Sequence, residues 1–254
     1  KDVIAKAPTG TGKTMAFGIP IIERIDPESE EVQAVILAPT RELAMQITDE
    51  MRQVAVCHEG VRLVCLYGGQ PIGKQINALK RRPQIVVATP GRLLDLIGQG
   101  YVTLDTIRFF VLDEADRMLD MGFIHDIRRI LPLLPERRQT LFFSATMPES
   151  IAALAAKILR NPVMVTVTPP ASVVETIAQT VHFAEKAEKS QLLIDLLSAS
   201  DAQQVLVFSR TKHGADKLAK ILNRAGIRSC AIHGNKSQNA RVKAMNDFKS
   251  GECR

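Results

Sequence analysis

Seven short runs rich in Val, Ile, Leu and Phe set the tightest limit on the fold: Val3–Ala5, Val32–Ala38, Val61–Tyr67, Ile85–Ala88, Phe109–Leu112, Thr140–Ser144 and Val163–Thr168. Within them the apolar residues are consecutive rather than alternating. A strand with one wet face alternates polar and apolar side chains, whereas a strand covered on both faces does not, and that covering is typical of parallel sheets. Between the runs lie segments of helical period, Ala16–Arg24, Leu43–Val56, Ile72–Lys80 and Ile151–Leu159. The alternation predicts an open α/β fold with a mostly parallel sheet. Its site should then lie in the loops at the carboxyl ends of the strands.

The pattern breaks at Pro169 and Pro170, which suit neither a helix nor a ladder, so residues 169–176 read as a linker. A second series is expected after it. Its strands would be Ile177–Phe183, Val205–Phe208 and Ser229–Ile232, with helices near Lys189–Leu197, Ala215–Arg224 and Ala240–Phe248. Three strands make a thin sheet. The division is therefore a complete domain over residues 1–168 and a partial one over 177–254. The opening Lys1-Asp2-Val3, inside a strand-like run and without an initiator Met, adds the expectation that the chain is a fragment.

Several function classes drop out on composition. No apolar run approaches the roughly 18 residues of a membrane span, so no membrane partner is expected. Cys57, Cys65, Cys230 and Cys253 have no C-x-x-C spacing, which favours buried reduced thiols in a cytoplasmic protein over a zinc site or disulfide frame. The net charge of +6 is unevenly placed. From Val205 onward eleven Lys and Arg residues face three carboxylates, a balance suited to a polyanion or to a solvated charged face. With no Trp and two Tyr, base stacking on aromatic platforms is not expected.

Two segments carry chemistry. Ala7-Pro8-Thr9-Gly10-Thr11-Gly12-Lys13-Thr14 lies between a strand and a helix. Gly10 and Gly12 let the backbone wrap closely, so that amides and a helix N-terminus face phosphate oxygens. Lys13 then reaches the outer phosphates and the Thr14 hydroxyl can ligate magnesium. Ala7 stands where the usual pattern has its first glycine. The second segment is Asp113-Glu114-Ala115-Asp116, directly after an apolar run. Asp113 suits magnesium held through water, and Glu114 suits the attacking water. The alternative is a helix N-cap by Asp113 or Asp116.

Taken in order, these segments resemble the DEAD-box ATP-dependent RNA helicases. Between the first and second come Pro39-Thr40-Arg41-Glu42-Leu43-Ala44, Gly68-Gly69 and Thr89-Pro90-Gly91-Arg92. After the acidic box come Ser144-Ala145-Thr146 and the run Val205 to Lys212. Residues Asp113–Arg129 and Ile232 to Gln238 look most like the bacterial RhlE-like subgroup. The resemblance spans essentially the whole chain.

That resemblance implies a RecA-like parallel-sheet domain followed by a second, truncated RecA-like domain. It implies ATP with magnesium as cofactors and RNA as partner, gripped without sequence preference through its backbone. Thr40, Arg41, Gly69, Thr89, Gly91 and Arg92 would hold the sugar-phosphate backbone, joined by Arg210, Gly234, Gln238 and Arg241 from the second domain. Pro39-Thr40 as a helix start and Pro90-Gly91 as a turn are the local alternatives. Ser144 and Thr146 would couple hydrolysis to strand separation through a hydroxyl bond to Asp116, unless they merely cap a helix. The family's adenine-recognising Gln segment, its later Gly- and Asp-bearing motif and its arginine finger are not in this sequence. The chain alone is accordingly expected to bind ATP weakly and hydrolyse it slowly. A non-catalytic RNA-binding fragment and a small-molecule phosphotransferase are the competing readings.

Overall fold

The computed structural model describes residues 1–167 and 177–254, which fall in two compact units, Lys1–Thr176 and Ile177–Arg254. The linker expectation at 169–176 lies outside the described residues.

In the first unit seven strands form one parallel sheet: β1 (Val3–Lys6), β2 (Ala34–Leu37), β3 (Leu63–Leu66), β4 (Ile85–Ala88), β5 (Phe109–Leu112), β6 (Gln139–Ser144) and β7 (Val163–Thr166). All recorded pairings are parallel, in the order β3-β4-β2-β5-β6-β1-β7. Seven helices flank it: α1 (Lys13–Ile22), α2 (Arg41–Ala55), α3 (Ile72–Leu79), α4 (Pro90–Gly98), α5 (Ala115–Asp120), α6 (Ile124–Ile130) and α7 (Glu149–Ile158).

Consecutive apolar residues produce this architecture because neighbours along a strand face opposite layers. Val35 and Leu37 pack into one cluster with Leu93, Leu96, Ile127 and Ile151, from α4, α6 and α7. Ala34 and Ile36, on the same strand, pack into the other with Phe17 and Ile21 of α1 and Ile47 and Met51 of α2. Every residue of β2 is fully buried. The expectation of strands covered on both faces fails at β7, where Val163, Met164 and Val165 are 44%, 63% and 46% exposed. An outermost strand past the last covering helix keeps its apolar side chains in the open.

The second unit contains α8 (Lys189–Ala199), α9 (Lys212–Arg224) and α10 (Gln238–Lys249), close to the expected helices. The three expected strands do not form among its described residues. A strand exists only through a partner, and here the partners are missing. The Val205 N–H donates to the Arg254 carbonyl at 2.7 Å and the Arg254 N–H donates to the Arg228 carbonyl at 3.0 Å. Arg254 thus bridges Val205 and Arg228, the residue just before the 229–232 run, where a ladder needs a series of bonds. Leu206 and Phe208 remain 70% and 89% exposed.

The cysteines also depart from expectation. All four are free, but Cys57 and Cys230 are exposed and Cys65 and Cys253 only half-buried. Among the described residues no His, Cys, Asp and Glu cluster could hold a metal ion, and no helix is long and apolar enough to cross a membrane.

Candidate functional site

Six of the seven strands lead into residues singled out from the sequence, and all six do so at the carboxyl edge of the sheet. Strand order then sorts them. The loops after β1, β5 and β6, adjacent in the sheet, carry Ala7–Thr14, Asp113–Asp116 and Ser144–Thr146. The loops after β2, β3 and β4, also adjacent, carry Thr40 and Arg41, Gly69, and Thr89 to Arg92.

The glycine loop leaves β1 through Ala7, whose N–H donates to the Ser144 carbonyl at 3.0 Å and extends the β1–β6 pairing by one residue. Ala7 has no left-handed backbone, so nothing there demands glycine. Gly10 and Gly12 do need it, with φ of 83° and 81°. A Cβ on either would meet no atom within 4 Å, so the backbone faces open space. Gly12 caps α1 without a side-chain bond, leaving the first-turn amides available to an anion.

Lys13, the first residue of α1, turns its side chain toward the end of β5. Its side chain is 8% exposed, and its Nζ lies 3.8 Å from Asp113 Oδ1, beyond hydrogen-bond reach. Nζ makes no hydrogen bond among the described residues. A buried ammonium with its donors unused is costly. Oxygens of an anion in the loop would satisfy it.

Asp113 is 2% exposed at the end of β5. Burial pushes its carboxyl up to about 6, despite the opposing pull of Lys13 and with a further push from Glu114. Its Oδ1 accepts the Glu114 N–H at 3.0 Å. Glu114 itself takes a left-handed backbone, φ 52° and ψ 52°, and stands as the N-cap of α5 without a capping side-chain bond. Such a conformation costs a non-glycine residue of order 1–3 kcal/mol and turns the carboxylate sharply off the strand. Glu114, and neither Asp113 nor Asp116, holds the N-cap position of α5, although Asp116 Oδ1 accepts the first-turn Arg117 N–H at 3.0 Å. Arg117, not singled out from the sequence, pairs with Glu114 Oε2 at 3.3 Å. The signal was present as Glu-x-x-Arg, an i,i+3 spacing.

Asp116 ties the end of β5 to the end of β6. Its Oδ2 accepts the Thr146 N–H at 2.8 Å and the Thr146 Oγ1–H at 2.7 Å, while its own N–H donates to Ser144 Oγ at 3.3 Å. Ser144 Oγ–H donates in turn to the Thr146 carbonyl at 2.7 Å. Partial burial alone would raise the Asp116 carboxyl, but hydrogen bonds from the Thr146 hydroxyl and amide, the Arg117 amide and Ser144 together outweigh it and hold it below its ordinary value. Pro148, not Ser144 or Thr146, is the N-cap of α7, so capping does not explain this motif. Thr146→Val should remove the hydroxyl bond and cost about 1 kcal/mol of stability, read as a lower urea midpoint at unchanged slope.

In the other cluster Thr40 caps α2, its Oγ1 accepting the Leu43 N–H at 3.2 Å. Arg41 lies over the Gly68-Gly69 turn, and a Cβ at Gly69 (φ 86°) would collide with its guanidinium. Glycine there lets the arginine sit against the backbone. Thr89 and Pro90 begin α4, a helix where the sequence suggested a turn, with Pro at its first position. Arg92 donates to the Gln70 carbonyl at 3.3 Å and lies 3.6 Å from Asp95, which joins the β3 and β4 loops. In the second unit Arg210 is exposed just before α9, Gly234 is exposed in the turn before α10, and Gln238 and Arg241 lie in the first turn of α10.

The family model described as DEAD/DEAH box helicase matches residues 1–154, and that of the helicase conserved C-terminal domain matches residues 188–254. The chain is 46% identical over 251 residues to the DEAD-box ATP-dependent RNA helicase CshA of Bacillus licheniformis, covering 99% of this chain and 51% of that protein. For CshA of Geobacillus kaustophilus the identity is 44%, over 99% of this chain and 54% of the relative. The chain thus spans about half the length of these curated relatives. The crystal structure of a DEAD box protein from the hyperthermophile Methanococcus jannaschii superimposes with a TM-score of 0.62 at 38% identity, over all of this chain and 68% of that one.

Proposed function

Because the chain belongs to the DEAD/DEAH box helicase family, we propose that it is the ATP-binding and part of the RNA-binding body of an ATP-dependent RNA helicase. The observation that carries this reading is the pairing of an unsatisfied Lys13 ammonium with a buried Asp113 carboxylate beside a left-handed glycine loop.

The residues fit a magnesium-bound triphosphate. Backbone amides from Thr9 to Gly12 and the start of α1 would cradle its phosphates, with Lys13 donating to the outer oxygens and Ala7 forming the wall against β6. Thr14, half-buried, and Asp113, through water, would hold the metal. Bound magnesium would neutralise charge developing on the phosphate oxygens. Glu114, held by Arg117 and aimed by its strained backbone, would orient the attacking water and take its proton. Asp116, Ser144 and Thr146 would transmit occupancy of the metal site to the neighbouring strand end.

RNA would lie across the other cluster. Thr40, Arg41, Gly69, Thr89, Gly91 and Arg92 present hydroxyls, guanidinium groups and exposed backbone, all of which bind phosphate and sugar and carry no base readout. Arg210, Gly234, Gln238 and Arg241 would add contacts from the second unit. The affinity should fall steeply with salt and vary little with sequence. A cytoplasmic location belongs to the same reading.

Lys13→Ala tests it. The variant should lose about tenfold to a hundredfold in magnesium-ATP affinity, the worth of hydrogen bonds to a charged group, while RNA affinity without nucleotide stays within about twofold. Equal nucleotide affinity in both chains, measured by calorimetry, would refute the assignment.

A further inference from the structure

The sheet of the first unit ends on β3, and its outer edge lies in a groove of about 500 Å³ between α2 and α3. The groove extends from Pro83, before β4, to Gln70, beyond β3. Alternation along a parallel strand decides which backbone groups face it. The Arg62 carbonyl accepts the Gln84 and Ile85 N–H groups and the Leu66 carbonyl accepts the Thr89 N–H, so this alternate set faces β4. The N–H and C=O groups of Leu63 and Cys65 therefore point away from β4. Beyond them Gln75 Nε2 donates to the Tyr67 carbonyl at 2.8 Å and closes the edge.

The rim is cationic. Arg52, Arg62, Lys74 and Arg81 line the groove against a single carboxylate, Asp49. That carboxylate is taken by Arg52 at 3.0 Å. The Arg62 guanidinium donates to the backbone carbonyls of Arg82, Gly60 and Ser29 and so keeps its charge uncompensated. Lys74 and Arg81 are exposed and pair with no carboxylate among the described residues.

We infer that this edge is a docking groove for an extended acidic segment of a partner protein, added to the sheet as a further strand outside β3. Backbone pairing with Leu63 and Cys65 calls for a peptide, since nucleic acid has no alternating N–H and C=O groups to match them. The uncompensated cations select carboxylates on that peptide and repel basic ones. None of the four belongs to the nucleotide loop or to the residues assigned to RNA, so the cations that select the partner are not those proposed to hold either ligand.

The test is fluorescence anisotropy on the 254-residue chain with a short labelled peptide of alternating Glu and Val. Saturable binding is expected, weakened about tenfold by the Lys74→Glu, Arg81→Glu double variant, whose magnesium-ATP affinity should be unchanged. The same peptide methylated at alternate backbone nitrogens keeps its charge but cannot pair, and should not bind. Absence of saturable binding overturns the inference, showing cations that only shield an edge. Equal binding of the methylated peptide overturns it too, by leaving charge alone as the cause. Displacement of the peptide by single-stranded oligouridylate would reassign the groove to nucleic acid.

Discussion

A Glu114→Gln chain should bind magnesium-ATP as the wild type does and lose about a hundredfold to ten-thousandfold of whatever hydrolysis the wild type shows, the range for removal of a positioned general base. Glutamine keeps the shape of the side chain and can still meet Arg117, whose partner Oε2 lies at 3.3 Å. It cannot take a proton. The left-handed backbone at residue 114 aims this group, and that conformation survives the change because it is set by the β5–α5 turn. Single-turnover hydrolysis with excess protein, with and without RNA, separates this chemical loss from slow product release. A helicase body gives RNA-stimulated turnover that the glutamine abolishes, whereas a non-catalytic RNA-binding fragment gives none for either chain. Unchanged turnover in the variant would remove Glu114 from the reaction.

The second large effect concerns stability, and its sign runs against intuition for a buried charge pair. The Asp113 carboxyl rises from 3.8 to about 6 on folding, mainly through burial. Between these values the folded chain binds more protons than the unfolded one, so stability falls as pH rises through this window. Its contribution is fully present below the unfolded value and lost above about pH 6, a swing of about 3 kcal/mol. Asp113→Asn should therefore make the unliganded chain more stable by about 1–3 kcal/mol at pH 7.5 and flatten the loss between pH 4 and 6. The gain comes at the expense of the proposed metal site, a trade common where a site is held in a strained or desolvated state. Urea melts at pH 4 and pH 7.5 on both chains check it. A variant less stable than wild type at pH 7.5 would show that the Lys13 attraction outweighs burial.

How far the sequence could be read depended on what each feature requires. The central strands of the first unit were legible because both of their faces are packed, and Ile85–Ala88 and Phe109–Leu112 begin and end as expected, whereas β7 was legible from its apolar run although its side chains are exposed. The run at 205–208, Val-Leu-Val-Phe, has the same composition yet forms no strand, because pairing is a property of neighbours and not of a segment. Helix α1 begins at Lys13 rather than Ala16 because a left-handed Gly12 turns the loop straight into the helix. Helix α4 was missed since Pro-Gly reads as a turn until Thr89 and Pro90 are seen to open it. The candidate residues were legible as an ordered series, but their two groups came only from the family resemblance and not from the residues themselves. In space the groups follow from a strand order, β3-β4-β2-β5-β6-β1-β7, set by crossovers between strands distant in sequence. The backbone of Glu114 and the raised carboxyl of Asp113 arise only in the folded chain.

The most direct measurement of the central claim is a double-mutant cycle for magnesium-ATP binding at pH 7.5, using Lys13→Ala, Asp113→Asn and the two combined. One joint site predicts that each single change weakens binding and that the pair loses clearly less than the two separate losses together, by about 1 kcal/mol or more. Strictly additive losses, or wild-type affinity in any of the three, would mean that the ammonium and the carboxylate do not serve one ligand.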